Sequence, residues 1–407
     1  MASASLWSFI GLITVCACSA MCTAKGDAPD RFAQDRFAIG FWVDPPADQL
    51  TKERYAEIAE AGFTLVLGGF GARTPDTVAR QIELCRLFNL RAIVATAGLK
   101  PEDLPDDPVV WGYLIRDEPG AADFPDLRKT VDAIRAARPG KLAYINLFPN
   151  YASAQALGTT TYDEHVRRFA DEVDVDVLSM DHYPIMTPTA DGRDRYCANL
   201  ETMRVHALRR GIPHWNFFNV MPFGPHSDPT EAQLRWQVFT SLAYGSRGVL
   251  YFCYWTPRGD EFPKGGAIIT ADGRRTRHYD QARRINQTLN ALGPTIMKLT
   301  STGTLRVKPD ADPAEPLAAP VKSLSAGDYL LGLFKHEDGR IGLLINNYSI
   351  AYTAWPTVEF AAPLDQVREV SPATGAEIEV RDDSPDMPGL QISLDAGEGR
   401  LFLMKAP

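Results

Sequence analysis

Short apolar runs alternate with amphipathic segments along the chain as far as residue 299. The apolar runs are five to seven residues long and rich in β-branched and aromatic residues, as is typical of strands. We predict strands at Phe37–Val43, Phe63–Leu67, Leu90–Ala95, Val109–Ile115, Leu142–Leu147, Val175–Met180, His214–Val220 and Gly248–Tyr254.

Helix signals lie between these runs. Thr51 precedes one amphipathic segment, Thr74-Pro75 fits an N-cap and first turn, and Thr230-Glu-Ala-Gln233 has the pattern of a capping box. The last helix is predicted over Tyr279–Leu292, and Gly293-Pro294 should end it.

Eight strands separated by helices predict a (β/α)8 TIM barrel over residues 34–299. Nearly continuous apolar strands are what a parallel sheet needs when both of its faces are buried. A doubly wound open sheet is the main alternative, and it normally carries a glycine-rich phosphate loop. Gly68-Gly-Phe-Gly71 has the wrong spacing for that loop, so we favour the barrel.

From about residue 300 the apolar period changes to two, which indicates antiparallel strands. Tyr329–Phe334 and Ile341–Asn346 flank the turn His336–Gly339 as a hairpin, and Ala373-Thr-Gly375 separates two further strands. Residues 300–407 are therefore predicted to form a small antiparallel β-sandwich. We expect it to support the barrel, because its strands carry few polar clusters.

Residues 1–24 have the pattern of an export signal. Leu6–Cys18 is an apolar run too short to span a bilayer, and small residues precede both candidate cleavage points, after Ala20 and after Ala24. We predict a secreted or periplasmic protein without a transmembrane segment. Val15-Cys-Ala-Cys18 also resembles a lipoprotein box, with Cys18 as the alternative anchoring residue.

Composition narrows the possible partners. The formal net charge is −9 over 407 residues, which gives no support to nucleic-acid binding. Cys85, Cys197 and Cys253 are the cysteines beyond the signal, and their wide spacing fits neither a disulfide framework nor a metal site. We therefore expect no metal and no cofactor.

Polar and aromatic residues follow the predicted strands, at the rim where barrel active sites lie. Carboxylates, amides and aromatic rings together suit a carbohydrate: the polar groups bind hydroxyls, the rings stack on sugar faces, and two carboxylates can cleave the glycosidic bond. The candidate substrate-binding residues are Trp42, Asp44, Asn146, His182, Tyr183, Asn216 and Trp255.

The fourth strand runs into Arg116-Asp-Glu-Pro-Gly120. Pro119 should keep Glu118 extended, so that the strand persists through Glu118 and the side chain of Asp117 points to its opposite side. A carboxyl group at a buried strand end has a raised pKa, which suits a general acid. The alternative is a carboxylate that only caps the following helix.

These segments resemble those of the clan A glycoside hydrolases. The resemblance rests on Trp111-Gly-Tyr113, Asp117-Glu-Pro119, Asp181-His-Tyr-Pro184 and Leu250–Trp255, and it is nearest to family-42-like β-galactosidase domains. It implies a retaining (β/α)8 glycosidase in which Glu118 is the acid/base at the end of strand four.

One feature departs from that resemblance. The family's nucleophile is a Glu at the end of strand seven, but His214–Met221 contains no carboxylate. We predict that Asp181 replaces it, with Asp44, Asp260 and Glu261 as further candidates. The shorter Asp favours an inverting reaction in which Asp181 is the general base and Tyr183 orients it. A catalytically inactive or weak carbohydrate-binding protein on the same barrel is the alternative.

Overall fold

The structure is a computed structural model that describes residues 30–186, 190–310, 317 and 320–405. The predicted export signal, residues 1–24, lies outside this range. The prediction of a (β/α)8 barrel followed by an antiparallel β-sandwich is confirmed.

The barrel contains all eight predicted strands, and no boundary differs from its prediction by more than three residues. The strands are β1 (Ala38–Phe41), β2 (Leu65–Leu67), β3 (Arg91–Ala95), β4 (Val110–Asp117), β5 (Leu142–Leu147), β6 (Leu178–Asp181), β7 (His214–Asn219) and β8 (Gly248–Phe252). The helices are α1 (Lys52–Glu60), α2 (Pro75–Leu87), α3 (Phe124–Ala137), α4 (Ala154–Leu157), α5 (Tyr162–Glu172), α6 (Arg193–Arg210), α7 (Glu231–Ala243) and α8 (Arg277–Ile296).

The strands are parallel, and neighbours in the chain pair in order from β2 to β8, with β8 also pairing β1. Thr64, just before β2, joins β2 to β1 and so closes the barrel. Its backbone N–H donates to the Ile39 carbonyl at 2.9 Å, and its hydroxyl accepts from the Ile39 N–H at 2.8 Å. The carboxyl ends of all eight strands therefore meet at one rim.

Helix starts follow the predicted caps. The side chains of Thr51, Thr74 and Thr230 each accept a backbone N–H in the first turn of their helix. The predicted end of the last helix is wrong, because α8 continues through Pro294 to Ile296. Close packing of Gly293 on Phe37 accompanies this extra turn: a Cβ on Gly293 would lie 3.0 Å from Phe37 Cβ.

The barrel has an aromatic interior. Trp215 lies between Trp111 and Tyr144, with ring centroids 6.0 and 5.9 Å away. A second, larger apolar layer lies between the strands and the helices. Burial on both faces of the sheet explains why the strands read as unbroken apolar runs.

The C-terminal domain is a two-sheet sandwich around its own apolar core. Its sheets have the orders β15-β14-β17-β12-β11-β9 and β10-β13-β16. The strands are β9 (Leu299–Val307), β10 (Val321–Leu324), β11 (Tyr329–His336), β12 (Ile341–Asn347), β13 (Thr357–Phe360), β14 (Val367–Val370), β15 (Glu377–Glu379), β16 (Leu390–Gln391) and β17 (Gly399–Met404). The predicted hairpin is therefore β11–β12.

The outer face of the larger sheet packs on the barrel. Leu330, Phe334 and Leu344 belong to the same apolar cluster as the barrel helices. Polar bonds join the same surfaces: Asn346 Nδ2 donates to Thr240 Oγ1 at 3.3 Å, and Arg193 donates to the Tyr348 carbonyl at 3.1 Å. The two domains thus meet in a buried apolar interface, in addition to the separate core of the sandwich.

We expect a chain that ends at residue 299 to be insoluble or to melt at a lower temperature than the full chain. The deletion would expose the apolar face that β11 and β12 cover on the barrel. Soluble yield and Tm of residues 30–299, compared with residues 30–407, measure this. Equal yield and equal Tm would show that the sandwich does not support the barrel.

Candidate active site

The end of β4 differs from its prediction. Glu118 is not extended: its φ is +47°, in the left-handed region, and its N–H donates to the Asn146 carbonyl at 2.8 Å. The pairing of β4 with β5 also shifts register between Leu114 and Arg116. The bulge and the turn bring the side chains of both Asp117 and Glu118 into one cleft, so the expectation that Asp117 faces away is wrong.

A left-handed backbone at a residue other than glycine costs on the order of 1 kcal/mol, and such strain concentrates at functional sites. Glu118 is held in this conformation by its backbone bond to β5, against the extended backbone that the following proline favours. The backbone that carries its carboxyl group is therefore fixed by the fold.

The cleft, which we call the central cleft, has a volume of about 340 Å³ and lies at the carboxyl ends of the strands. Carboxylates and one amide line one part of it, and aromatic rings line most of the remainder. Its lining residues are Trp42, Val43, Phe70, Asp117, Glu118, Asn146, Asp181, Tyr183, Phe217, Phe223, Phe252, Pro257, Glu261 and Phe262.

Asn146 connects two of the carboxylates. Its Nδ2 donates to Asp181 Oδ1 at 3.0 Å and to Asp117 Oδ1 at 3.2 Å, while its Oδ1 accepts from Ser179 Oγ at 3.0 Å. Tyr144 OH lies 2.8 Å from the same Ser179 oxygen. Since the Ser179 hydroxyl donates to Asn146, the Tyr144 hydroxyl donates to Ser179. This chain of donors sets the orientation of the Asn146 amide.

Burial governs the charge of these carboxylates. It raises the pKa of Glu118 to about 7, with the Asp117 charge adding to the increase and a hydrogen bond to Asp181 opposing it. Burial also raises the pKa of Asp181 well above its ordinary value, together with the charges of Glu118 and Asp117. Burial raises the pKa of Asp117, and the hydrogen bond from Asn146 partly offsets this increase. The pair Glu118–Asp181 therefore shares one proton close to neutral pH, so that one carboxyl group is protonated while the other is ionised.

Aromatic rings form two groups beside the carboxylates. Trp42 meets Phe217 edge to face at 5.5 Å and Phe70 at 5.4 Å. Across the cleft, Phe252 lies 5.2 Å from Tyr183 and 4.9 Å from Phe223. Such rings offer flat apolar faces to the C–H side of a sugar ring, next to carboxylates that accept its hydroxyls.

The structure brings five of the predicted site residues together. Glu118, Asp181, Trp42, Asn146 and Tyr183 all line the central cleft. Four other predicted residues lie outside its lining: Asp44, His182, Asn216 and Trp255.

Asp44 and Trp255 line a neighbouring cavity. The carboxylate of Asp44 is only 1% exposed and accepts backbone N–H groups from the loop after β2. Burial raises its pKa to about 6. The ring of Trp255 lies under the Arg54 guanidinium, 5.0 Å away.

His182 and Asn216 are buried behind the rim. His182 Nδ1 lies 2.9 Å from Asn199 Oδ1, and burial lowers the pKa of the imidazole to about 4, so it is neutral. Asn216 Nδ2 donates outward, to Tyr196 OH at 2.6 Å on α6 and to Ser241 Oγ at 3.0 Å on α7. Phe217, its neighbour on β7, faces the cleft instead, because side chains alternate along a strand.

Sequence reasoning did not select Asp117 or most of the aromatic cleft residues, and it ranked Glu261 below Asp181. Asp117 was set aside because regular alternation places it opposite Glu118. Phe70, Phe223 and Phe262 come from loops, where no apolar periodicity marks them. Glu261 was named only as a substitute carboxylate, and it lines the cleft from the loop after β8.

We expect Asp117→Asn to move the alkaline limb of the pH–activity profile to lower pH without abolishing activity. The Asp117 charge raises the pKa of Glu118, so its removal lets Glu118 lose its proton at lower pH. The asparagine oxygen still accepts the bond from Asn146. Asp123→Asn, next to Arg116 at the surface, is the matched control and should leave the limb in place. An unmoved limb in Asp117→Asn would show that this charge does not act on Glu118.

Two features are absent from residues 30–186, 190–310, 317 and 320–405. No cluster of three or more histidine, cysteine, aspartate or glutamate side chains is arranged to hold a metal ion. No helix in the same ranges is both long and apolar enough to cross a bilayer.

Comparison with known proteins identifies the fold. The sequence matches no protein-family model and no curated protein. Among solved structures, the chain is similar to a family 39 glycoside hydrolase from the gut symbiont Bacteroides cellulosilyticus WH2. The TM-score is 0.51 at 16% identity, over 91% of this chain and 81% of that one.

Two family 42 β-galactosidases are also similar. For a catalytic mutant of the enzyme from G. stearothermophilus the TM-score is 0.57 at 9% identity, over 93% of this chain and 100% of that one. For the enzyme from Bacillus circulans sp. alkalophilus it is 0.55 at 10% identity, over 91% and 99%. The resemblance to clan A glycoside hydrolases is therefore confirmed for the fold.

Proposed function

We propose that the protein is a glycoside hydrolase in which Glu118 is the general acid. The observation that carries this proposal is the gathering of Asp117, Glu118 and Asp181 in one aromatic cleft at the barrel rim, with the pKa of Glu118 raised to about 7. A carboxyl group that is protonated near neutral pH can deliver a proton to the leaving oxygen of a glycosidic bond. Likeness to glycoside hydrolase folds supports the same assignment.

Asp181 takes the second carboxylate role in this proposal. In the free protein its carboxyl group is in contact with that of Glu118, whose charge raises the pKa of Asp181. A substrate that enters between them replaces this contact. Asn146 on β5 then keeps Asp181 oriented, because its Nδ2 still donates to Asp181 Oδ1.

The substrate is an uncharged glycan in this proposal. The described residues that line the central cleft include four carboxylates, Asp117, Glu118, Asp181 and Glu261, and no lysine, arginine or histidine. A uronic acid or sulfated sugar would place its negative charge among these groups without a compensating cation, which is unfavourable.

We expect the sugar released first to have the inverted anomeric configuration. Asp181 has a shorter side chain than the Glu of a retaining nucleophile, which favours activation of a water molecule over direct attack. Proton NMR of the first product measures the configuration, and azide added to Asp181→Gly tests whether a small nucleophile replaces its function. A retained anomer, or a covalent glycosyl adduct on another residue, would contradict this route.

A catalytically inactive carbohydrate-binding protein is the second candidate. β7, His214–Asn219, contains no carboxylate where the resemblance implies a nucleophile. A panel of plant and algal polysaccharides, assayed both for binding and for reducing-sugar release, separates the candidates. Release that is lost in Glu118→Gln supports the hydrolase, whereas binding without release supports the second candidate.

We also propose that the protein is exported, on the pattern of residues 1–24 alone. Expression of the full chain in a bacterial host, followed by fractionation and N-terminal sequencing, tests this. Processing after Ala20 or Ala24 supports a plain signal, and lipid attachment at Cys18 supports the lipoprotein alternative. An unprocessed cytoplasmic chain would contradict export.

A further inference from the structure

The central cleft lies between two other cavities at the barrel rim. The first flanking cavity has a volume of about 440 Å³ and lies over the ends of β2, β3 and β4. The second flanking cavity has a volume of about 600 Å³ and lies beside the loops after β1 and β8. Both are bordered by residues that also line the central cleft.

Residues that line two neighbouring cavities at once join the three cavities into one path. Trp42 and Asp117 line both the first flanking cavity and the central cleft. Val43 and Pro257 line both the central cleft and the second flanking cavity. Phe70 lines all three, and 43% of its surface is exposed.

A buried carboxylate fixes the loop that carries Phe70. The Asp44 side chain accepts the N–H groups of Phe70 at 2.9 Å, Gly71 at 3.0 Å and Ala72 at 2.8 Å. Gly71 packs so closely that a Cβ on it would lie 1.7 Å from the Pro45 carbonyl oxygen. The loop is thus bonded and packed against the segment after β1, which leaves the Phe70 backbone little freedom.

If Phe70 served only packing, it would contribute little to the stability of the fold, since much of its apolar surface stays in water. Phe70 contacts Trp42 edge to face, with centroids 5.4 Å apart, and this leaves a ring face available at the junction of the cavities. A rigid aromatic ring of this kind stacks on a sugar at low entropic cost.

We propose that a glycan chain lies across all three cavities and places an uncharged sugar in the central cleft, with Phe70 as the stacking platform between its sugar-binding subsites and Asp44 as the residue that positions this platform. The proposal rests on the function proposed above and deepens it. A chain bound on both sides of Glu118 is cut at an internal linkage: the glycosidic C–O bond breaks, the hydroxyl of a water molecule bonds to the anomeric carbon, and a proton goes to the leaving oxygen.

The test uses β-1,3- and β-1,4-linked gluco-, galacto- and manno-oligosaccharides of two to six units, with the full chain. For the series that the wild type cleaves, we expect kcat/KM to rise at least about tenfold between two and six units, with internal products in chromatography. Phe70→Ala should remove most of this rise through a higher KM, and Phe70→Tyr, which keeps a ring, should retain it.

Asp44→Asn should resemble Phe70→Ala, because an amide NH2 cannot accept the backbone N–H groups that the second carboxylate oxygen accepts. Tyr352→Ala is the matched control, since Tyr352 is an aromatic residue 77% exposed on the sandwich, and it should change nothing. An equal fall of kcat for every chain length in Asp44→Asn would overturn its role as a positioning residue.

The two proposals fail differently. Hydrolysis without dependence on chain length, or release of terminal sugars only, overturns the three-cavity path and leaves the hydrolase proposal intact. Calorimetric binding of six-unit chains that weakens in Phe70→Ala, without any hydrolysis, supports the path and overturns the hydrolase. Wild-type protein that neither binds nor cleaves any of these series overturns both.

Discussion

Glu118→Gln is expected to lower kcat by about 10²–10⁴-fold, the range that general acid catalysis supplies. Glutamine keeps the shape of the side chain but cannot transfer a proton to the leaving oxygen. The loss should depend on the leaving group. A glycoside with an activated leaving group, such as a dinitrophenolate, departs without protonation and should lose much less rate than a natural oligosaccharide.

Steady-state kinetics with both kinds of substrate measures this dependence. Glu261→Gln is the matched control, because Glu261 lines the same cleft from the loop after β8 and is exposed. It should retain activity within about tenfold. A Glu118→Gln variant with near wild-type kcat on the natural substrate, or equal losses on both substrates, would refute Glu118 as the acid.

Asp181→Asn is expected to lower kcat by a similar factor while making the protein more stable at pH 8. The loss of activity follows from removal of the carboxylate that activates the nucleophile. The gain in stability follows from burial, which raises the pKa of Asp181 and makes its charged form unfavourable in the folded state. The asparagine oxygen keeps the bond from Asn146.

The sign of the stability change depends on pH. A carboxyl group whose folded pKa exceeds its unfolded pKa stabilises the protein below the unfolded value, and this contribution is lost as the pH rises through the folded value. Asparagine stays neutral throughout. The Tm of Asp181→Asn should therefore exceed that of the wild type at pH 8, by roughly 2 °C for each kcal/mol, and the difference should shrink towards pH 4.

Differential scanning fluorimetry at pH 4 and pH 8 measures the Tm values, and the kinetic assay above measures the rates. A Tm at pH 8 below that of the wild type would show that the charge of Asp181 is compensated in the fold. Full activity of Asp181→Asn combined with inactivity of Glu261→Gln would transfer the second carboxylate role to Glu261.

The barrel could be predicted because each of its strands is marked by residues that are adjacent in the sequence. Each parallel strand is buried on both faces, so each appears as an apolar run with polar residues at its end. The same rule located Glu118 and Asp181 at the rim, since the residue after a strand is read directly from the sequence.

Other features of the site depend on contacts distant in sequence. The side on which Asp117 lies follows from the register shift between β4 and β5 and from the positive φ of Glu118, neither of which a strand pattern contains. Asp44 has the position of a substrate ligand, but its oxygens accept backbone N–H groups that lie 26 to 28 residues later in the chain. Asn216 faces the helices because side chains alternate along β7 and its neighbour Phe217 is directed into the cleft.

The pH dependence of kcat/KM tests the central proposal most directly, because it reports the ionisation of the acid in the free enzyme. With the oligosaccharide that the wild type cleaves best, activity should fall above an apparent pKa near 7, the value to which burial and the Asp117 charge raise Glu118. The residual activity of Glu118→Gln should lack that alkaline limb. A wild-type profile that stays flat from pH 6 to pH 9, or a limb that persists unchanged in Glu118→Gln, would contradict a protonated Glu118 as the acid.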